Sequence, residues 1–219
     1  MSVPDRIILA SASPRRRGLL AQLGVQFEAH SSNVDEEPLP GESPTETQRR
    51  VTLAKAETVA VGVRGLRDQW VVIASDTTVL LDDAMLNKPV DEAEAWSMLR
   101  RLRGRTHVVQ SCLVLLKHQA DGEERCHLEI LRSGVRLREY SDAEIAAYIA
   151  TGDPFDKAGS YAAQHDQFKP VAEITGCPLN VIGLSLCRLR EHLPHLPECE
   201  RVCAAWFGRS CAEWQVSVE

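Results

Sequence analysis

The sequence predicts an α/β fold, and three observations support that class. Apolar, β-branched runs alternate with segments of helical periodicity along most of the chain. Helix-start patterns of small polar residues precede several of the helical segments. The 219 residues are 44% hydrophobic and 26% charged, which provides a sizeable core. This length suits one large domain or two closely joined lobes.

The first predicted strand, residues 6–10, runs directly into a predicted helix. Ser13 suits the N-cap of that helix and Pro14 its first position. Gly24 is a natural stop for it. An apolar stripe predicts that one face of the helix is buried, and it consists of Leu19, Leu20 and Leu23.

The start of this helix is also predicted to bind an anion. Its free N–H groups and the positive end of its dipole favour negative charge. Arg15 and Arg16 lie in the first turn, where cations oppose the dipole unless something negative is nearby. We therefore expect a phosphate or a carboxylate beside Arg15 and Arg16, whereas Arg17 is expected to be solvated.

The remaining elements follow from apolar runs, caps and turn residues. Residues 91–94 and 141–144 fit the capping-box pattern, and a polar turn at 121–123 joins two long predicted strands into an antiparallel pair. In order, the predicted elements are a strand at 25–31, a helix at 45–62, a strand at 70–74, a helix ending before Gly104, strands at 107–116 and 128–137, a helix ending near Thr151, a loop to Pro178 and a final core helix.

Charge and hydropathy exclude several classes of protein. The net charge of -6 argues against a nucleic-acid scaffold. No stretch approaches the roughly 20 apolar residues of a membrane span, and Asp5 and Arg6 interrupt the N-terminus where a signal peptide would be apolar. We expect a cytoplasmic protein that binds neither nucleic acid nor membranes.

The seven cysteines show no paired CxxC spacing, so they predict no disulfide framework. Most are expected to be small core residues. Four residues near the C-terminus are of metal-binding type, namely His192, His195, Cys199 and Cys203. Their spacing is not a familiar zinc pattern, so zinc binding there is the less favoured interpretation.

Three separate groups of residues indicate nucleotide chemistry. Besides the basic turn, Asp76 follows a buried strand, where open α/β sheets place ligand contacts. The loop 151–161 combines Asp156 and Lys157 with small residues that permit close approach to a ligand, and Lys88 adds a cation. These are the parts needed to hold a nucleotide polyphosphate with a metal. The fingerprints of P-loop kinases, Rossmann dehydrogenases, zincins and esterases do not occur.

At these positions the chain resembles the Maf family of nucleoside triphosphate pyrophosphatases, also described as septum-formation-inhibitor-like proteins. The resemblance extends from Ile7 to about Leu189, so that residues 1–189 form the predicted domain. Its matching segments are 9–17, 34–37, 54–56, 75–77, 87–89, 98–104, 156–161 and 180–184. It implies a Maf/ITPase-like mixed twisted sheet flanked by helices, with two lobes and a nucleotide cleft between them.

The resemblance also implies a reaction and the roles of residues. A nucleoside triphosphate would be hydrolysed between its α and β phosphates, with Mg²⁺ or Mn²⁺, to a monophosphate and pyrophosphate. Asp76 would accept the proton of the attacking water and touch the metal, and Glu36 would help to hold that metal. The implied substrate contacts are Ser11, Ser13, Arg15, Arg16, Lys55, Lys88, Asp156 and Lys157.

The choice of base is predicted from three positions. Arg15, Thr77 and Gln164 resemble the dTTP/UTP-hydrolysing branch of the family. A Gln amide can pair with the acceptor and donor edge of a pyrimidine, and the wrong base would leave buried groups unpaired. We therefore expect a house-cleaning enzyme for pyrimidine triphosphates, including modified or noncanonical forms. The alternative is a non-catalytic regulator of cell division that senses nucleotides and acts through a protein partner.

Residues 190–219 extend beyond the family resemblance. Trp206, Phe207 and Trp214 give this extension an apolar character. We expect it to be helical and to pack on the domain, and a homodimer contact is the alternative.

Overall fold

The computed structural model describes residues 4–66, 68–82, 84–119 and 121–209. The strands in these ranges are β1 (Arg6–Ala10), β2 (Glu28–His30), β3 (Trp70–Leu81), β4 (Ala84–Leu86), β5 (Thr106–His118), β6 (Glu124–Leu137) and β7 (Val171–Thr175). The α-helices are α1 (Pro14–Gln22), α2 (Pro44–Ala60), α3 (Glu92–Leu102), α4 (Asp142–Ile149), α5 (Pro178–Ile182), α6 (Leu186–His192) and α7 (Glu200–Phe207). The predicted α/β class is confirmed.

These strands form one mixed sheet in the order β2-β1-β3-β5-β6-β7, with β4 paired to β3. β1 is parallel to both of its neighbours, whereas β4 is antiparallel to β3 and β7 is antiparallel to β6. The parallel pairs are joined through helices, because a parallel connection requires a crossover. The predicted mixed sheet with flanking helices is therefore confirmed.

The chain divides into two compact units. Among the described residues, unit 1 consists of residues up to 76, 111–131 and 183–202, and unit 2 of residues 77–110, 132–182 and 203–209. Two units agree with the two lobes that the family resemblance implies. The nucleotide cleft stays a prediction.

A core cluster of unit 1 is built from residues of β1, α2, β3 and β5. β1 supplies Ile8 and Ala10 to this core, and both are almost fully buried. Ser13 caps α1 and Pro14 begins it, as predicted, while the stripe Leu19, Leu20 and Leu23 is no more than 1% exposed. Gly24 follows with a positive φ of 76°, a conformation that glycine adopts without strain. The predicted start and end of this helix are confirmed.

The core of unit 2 forms around α3 and α4. α3 buries one face, made of Ala95, Met98, Leu99 and Leu102. Tyr140 donates a hydrogen bond of 2.7 Å to the carbonyl of Leu99, which fixes the segment before α4 against α3. Ser141 and Glu144 form the predicted capping box. Residues 91–94 form only half of a capping box: Asp91 caps α3, but the Glu94 carboxylate accepts from the N–H of Val90.

The structure corrects three boundaries. β3 does not end before Ser75 but continues to Leu81, because Val79 and Leu81 are buried and pair with β4. β2 is shorter than predicted, since it pairs with β1 only at Ile8 to Ala10. β7 lies within a segment for which the sequence predicts a loop. This segment forms a strand because it pairs with β6.

The predicted extension is helical over part of its length. α7 buries Val202 and Cys203, and Phe207 packs against the core of unit 2. Cys211 and Trp214 lie outside the described residues. No helix in the described part of the chain combines the length and the apolarity needed to cross a membrane.

Candidate active site

The centre of the candidate site in unit 1 is an ammonium group shared by two carboxylates. Lys55 Nζ lies 2.7 Å from Asp76 Oδ1 and 2.8 Å from Glu36 Oε1. The Lys55 side chain is 10% exposed, that of Asp76 23% and that of Glu36 60%. Three residues that the family resemblance singles out are therefore brought together, and both carboxylates are held by one cation.

Two local features of the chain position this group. Lys55 lies on α2, which starts at a complete capping box of Ser43 and Glu46. Asp76 lies within β3 rather than after it. β1 pairs with β3 up to Ile73 and β4 pairs from Val79 onward, so Asp76 stands between these two pairings. Neither of these two pairings includes Asp76, which leaves its backbone available to partners from other elements.

Gln48 is one of those partners, and the sequence analysis missed it. Its amide nitrogen donates to the carbonyl of Asp76 at 3.1 Å, and the residue is only 3% exposed. Gln48 precedes Lys55 by seven residues, which places both on one face of α2. A buried glutamine two turns before a predicted active-site lysine is the signal that could have revealed it.

The turn between β1 and α1 is organised by its hydroxyl groups. Ser11 Oγ accepts the N–H of Ser13 at 3.1 Å, and Ser13 Oγ accepts the N–H of Arg16 at 3.5 Å. Arg16 Nη1 donates to Ser11 Oγ at 3.4 Å. Ser11 and Ser13 therefore shape the turn itself, in addition to any contact with a ligand.

A single carbonyl links this turn to β3. The Gly183 carbonyl accepts one bond from Arg16 Nε and another from Ser75 Oγ, each of 2.9 Å. Gly183 and Ser75 had no assigned role in the sequence analysis. Their partners are more than 100 residues away in the chain, so local sequence contains no sign of the contact.

Arg16 has the negative neighbours that its position in the helix requires. Burial lowers the pKa of this guanidinium, and the charges of Asp76 and Glu36 oppose that change, while Arg15 reinforces it. The charges of these two carboxylates therefore act on Arg16, in the direction that its position in the helix predicts. Arg15 is half-buried, whereas Arg17 is exposed as predicted.

The donors of this site suit a hard divalent cation. Mg²⁺ and Mn²⁺ prefer carboxylate and phosphate oxygens, and Mg²⁺ sites often use one or two carboxylates plus the phosphates of a substrate. Asp76 and Glu36 each place a carboxylate oxygen within 2.8 Å of the same nitrogen, Lys55 Nζ. The residues present therefore fit the metal that the family resemblance implies.

In unit 2, Lys157 is held by carboxylates of its own loop. Its Nζ lies 2.6 Å from Asp156 Oδ1 and 2.8 Å from Asp153 Oδ1, and it also donates to the carbonyl of Asp153. Burial favours a higher pKa for Asp153, but hydrogen bonds from Lys157 and Tyr148 bring it below its usual value. Asp153 is the partner that the sequence analysis overlooked, although it stands four residues before Lys157.

The glycine loop packs tightly against β3 and the segment that contains Lys88. Gly159 has a φ of 69°, and a Cβ built there would lie 3.1 Å from the methyl groups of Val79. Its N–H donates to the carbonyl of Asn87 at 3.1 Å. Lys88 itself is exposed. The sequence predicted that small residues here permit a close approach, and the close neighbour is Val79.

Gln164 lines a pocket of about 470 Å³ within unit 2. Trp206 and Phe207 of the C-terminal extension form part of its wall. Thr77 is partly exposed on β3, outside this lining. His165, beside Gln164, accepts the N–H of Phe168 through Nδ1 and packs edge-on against Tyr148, which gives it a structural role.

The four residues of metal-binding type near the C-terminus, for which zinc was the less favoured interpretation, do not form one group in the described part of the chain. Among the described residues, His192 is grouped with His127 and Glu129, not with His195, Cys199 and Cys203. Cys199 Sγ instead lies 3.2 Å from Cys187 Sγ. The ligand atoms that lie near His192 come from His127 and Glu129 of β6.

Comparison with known proteins decides the family. The family model described as "Maf-like protein" matches residues 6–196. This chain belongs to the Maf-like family. The match covers every residue assigned above to the candidate site, and this Maf-like protein extends beyond it from residue 197 onward.

Curated relatives of this Maf-like protein share about two-fifths of its residues. It is 42% identical to a dTTP/UTP pyrophosphatase of Geobacter sulfurreducens over 86% of this chain and 95% of the relative. It is 41% identical to a dTTP/UTP pyrophosphatase of Dictyoglomus thermophilum over 87% of this chain and 95% of the relative. A solved nucleoside-triphosphatase/dITP/XTP pyrophosphatase of Mycobacterium abscessus aligns with 59% of this chain and 74% of its own, at 21% identity and a TM-score of 0.35, which is too distant to add to the fold assignment.

Proposed function

We propose that this Maf-like protein hydrolyses pyrimidine nucleoside triphosphates of the dTTP/UTP type, including modified forms. The products are the nucleoside monophosphate and pyrophosphate. The observation that supports this most is the Asp76–Lys55–Glu36 group beside an arginine-bearing helix start, in a chain whose relatives are named dTTP/UTP pyrophosphatases. Its cytoplasmic location belongs to the same proposal.

Asp76 is proposed as the proton acceptor. The oxygen of a water molecule forms a bond to the α-phosphorus, and the bond from that phosphorus to the oxygen bridging to the β-phosphate breaks. The proton of the water passes to the Asp76 carboxylate, and pyrophosphate leaves with the bridging oxygen. Lys55 holds this carboxylate through Oδ1, and Gln48 fixes the backbone carbonyl of the same residue.

The helix start and nearby cations are proposed to bind the phosphates. The N-terminus of α1 offers N–H groups and the positive end of its dipole, and Arg16 adds a planar donor group. Ser11 and Ser13 contribute hydroxyl groups at the same turn. We assign Lys88, Asp156 and Lys157 of unit 2 as further substrate contacts, by their match to the family motifs.

Base selection is proposed to depend on Arg15, Thr77 and Gln164. The Gln164 amide offers both an acceptor and a donor, which suits the edge of a pyrimidine. Hydrogen bonds of this kind discriminate strongly, because an unsuitable base leaves buried polar groups without partners.

A divalent cation, Mg²⁺ or Mn²⁺, is proposed to bind Asp76 and Glu36. When bound, it supplies positive charge that offsets the charge of the phosphates. Lys55 contacts both of these carboxylates in the protein chain.

A substrate panel tests the function. Purified protein is incubated with dTTP, UTP, CTP, dATP and GTP in Mg²⁺, and pyrophosphate and monophosphate are quantified. We expect dTTP and UTP to be hydrolysed fastest, with equal amounts of pyrophosphate and monophosphate. Tight binding of these nucleotides with no pyrophosphate would refute catalysis and favour the nucleotide-sensing regulator.

The role of Asp76 is tested by Asp76→Asn, which keeps the shape of the side chain but removes its capacity to accept a proton. We expect kcat to fall by about 10²–10⁴-fold, the usual contribution of a general base. Asp68→Asn is the matched control, since Asp68 is exposed in unit 1 and should leave kcat unchanged. Pyrophosphate release by Asp76→Asn at the wild-type rate would show that the assignment is wrong.

A further inference from the structure

A second group of metal-binding side chains lies in unit 1, outside the candidate active site. His127 and Glu129 are alternate residues of β6 and therefore project from the same face of the strand. His192 is the last residue of α6. One ligand atom from each of these three side chains lies within 4.8 Å of the other two.

The distances in this group match a coordination polyhedron better than they match hydrogen bonds. Glu129 Oε2 lies 3.5 Å from His127 Nε2 and 3.6 Å from His192 Nε2. Two ligands bound to zinc at about 2.0–2.2 Å in a tetrahedron are roughly 3.3–3.6 Å apart. The two imidazole rings lie side by side, with centroids 3.7 Å apart.

Both imidazole nitrogens lack a hydrogen-bond partner. His127 Nε2 and His192 Nε2 are buried atoms for which the described residues provide no hydrogen bond. Two buried nitrogens without partners beside one carboxylate are costly, because each desolvated polar group loses its bonds to water. A cation between them and Glu129 would satisfy all three groups.

Glu129 is oriented for this role by an arginine on the same helix as His192. Arg188 precedes His192 by four residues, so both project from one face of α6. Its Nη2 lies 2.5 Å from Glu129 Oε1, and its Nε donates to Oε2 at 3.4 Å. A partner that fixes a ligating carboxylate in this way is a common feature of metal sites.

A lysine also contacts the residue at the end of α6. The ammonium of Lys117, on β5, donates to the backbone carbonyl of His192 at 2.8 Å. This contact leaves the His192 imidazole available to the group.

We propose that His127, Glu129 and His192 form a binding site for Zn²⁺ or a similar transition-metal ion, separate from the site of Asp76 and Glu36. Two imidazoles and one carboxylate are typical zinc ligands, whereas Mg²⁺ prefers oxygen donors alone. The ion would fasten the end of α6 to β6. Its role is therefore structural, and it holds the beginning of the C-terminal extension against the sheet.

The test uses the full chain, stripped of metal and exchanged into buffer with excess Mg²⁺, so that the carboxylates of the active site are occupied. Zn²⁺ is then added, unbound metal is removed by gel filtration, and zinc is quantified by mass spectrometry. We expect one zinc per chain and a higher melting temperature. Absence of retained zinc in the wild-type protein would overturn the proposal.

Variants identify the ligands. His127→Gln and His192→Gln should each lower the zinc affinity by at least about 100-fold, more than the loss of a supporting residue usually does. His195→Gln is the matched control, because His195 is a neighbouring histidine that also has a buried nitrogen but lies outside the group. Circular dichroism verifies that each variant is folded. Retention of zinc by both ligand variants would contradict the proposal.

Cobalt distinguishes histidine ligands from cysteine ligands. Co²⁺ replaces Zn²⁺ in such sites, and its visible spectrum should show bands of nitrogen and oxygen ligation. A strong near-ultraviolet charge-transfer band would reveal thiolate ligation by cysteines such as Cys187 and Cys199, and would overturn the assignment.

Discussion

Lowering the pH should destabilise this protein through His107, a buried histidine on β5. The residue is 3% exposed, and burial lowers its pKa from 6.5 to about 4. Its Nε2 lies 2.6 Å from the hydroxyl of Tyr161, while its Nδ1 is a buried atom without a hydrogen-bond partner among the described residues. A protonated ring would therefore place an unpaired N–H in the core.

The magnitude follows from the two pKa values. Between pH 6.5 and 4 the unfolded chain binds a proton at this position that the folded chain does not, so the free energy of unfolding falls as the pH falls. The stability is fully present above pH 6.5, and about 3 kcal/mol of it is lost at pH 4. Other groups also titrate in this range, so the effect must be measured as a difference between two proteins.

The assay is urea unfolding of the wild type and of His107→Gln from neutral pH to about pH 4. Glutamine does not titrate, so the stability advantage of the wild type should shrink by about 3 kcal/mol across this range. Tyr161→Phe is the matched control, because it removes the hydrogen bond but leaves His107 buried, and its pH profile should parallel that of the wild type. Parallel profiles for the wild type and His107→Gln would refute the reasoning.

Two further predictions concern the supports of the candidate site. Gly159→Ala should lower the free energy of unfolding by about 2 kcal/mol, through the positive φ and the contact with Val79, as measured by urea unfolding. Gly152→Ala should cost less, since its φ of 77° is similar but a Cβ there would meet no atom within 4 Å; equal costs would show that Val79 plays no part. Gln48→Met should lower stability by about 1–3 kcal/mol and reduce kcat more than it changes KM, because it removes the donor to the Asp76 carbonyl. Steady-state kinetics measure this, with Gln167→Met as an exposed control, and unchanged kcat would separate Gln48 from catalysis.

Local signals in the sequence were sufficient to predict the helices α1 to α4, whereas the single helix predicted after Pro178 is three shorter helices, α5 to α7. Ser13 caps α1 and Ser141 caps α4 as predicted, because a capping hydroxyl acts only on backbone groups within three residues of it. The buried stripe of α1 could also be predicted, since a helix repeats its faces every three or four residues. The full length of β3 could not be predicted, because the segment after Asp76 becomes a strand by pairing with β4.

Some features of the candidate site could likewise be predicted from the sequence, and others could not. Motifs that match the Maf-like family indicated Asp76, Lys55 and Glu36, and the structure brings these three together. Asp153 stands four residues before Lys157, so this ion pair is local in the sequence and its spacing is a usable signal. The contact of Gly183 with Arg16 could not be predicted, because it joins residues 167 positions apart through a backbone carbonyl.

The sequence by itself determined the α/β class, the family and the chemical types of the residues at the predicted site. These depend on residue identity, on short-range periodicity and on motifs that are contiguous in the chain. Only the tertiary structure decided which partner each charged group meets: Lys55 between two carboxylates, Lys157 within its own loop, and His192 beside His127 and Glu129 instead of the cysteines that follow it. The physical reason is that strand pairing and helix packing bring together residues that are far apart in the chain, and no local pattern specifies those distances.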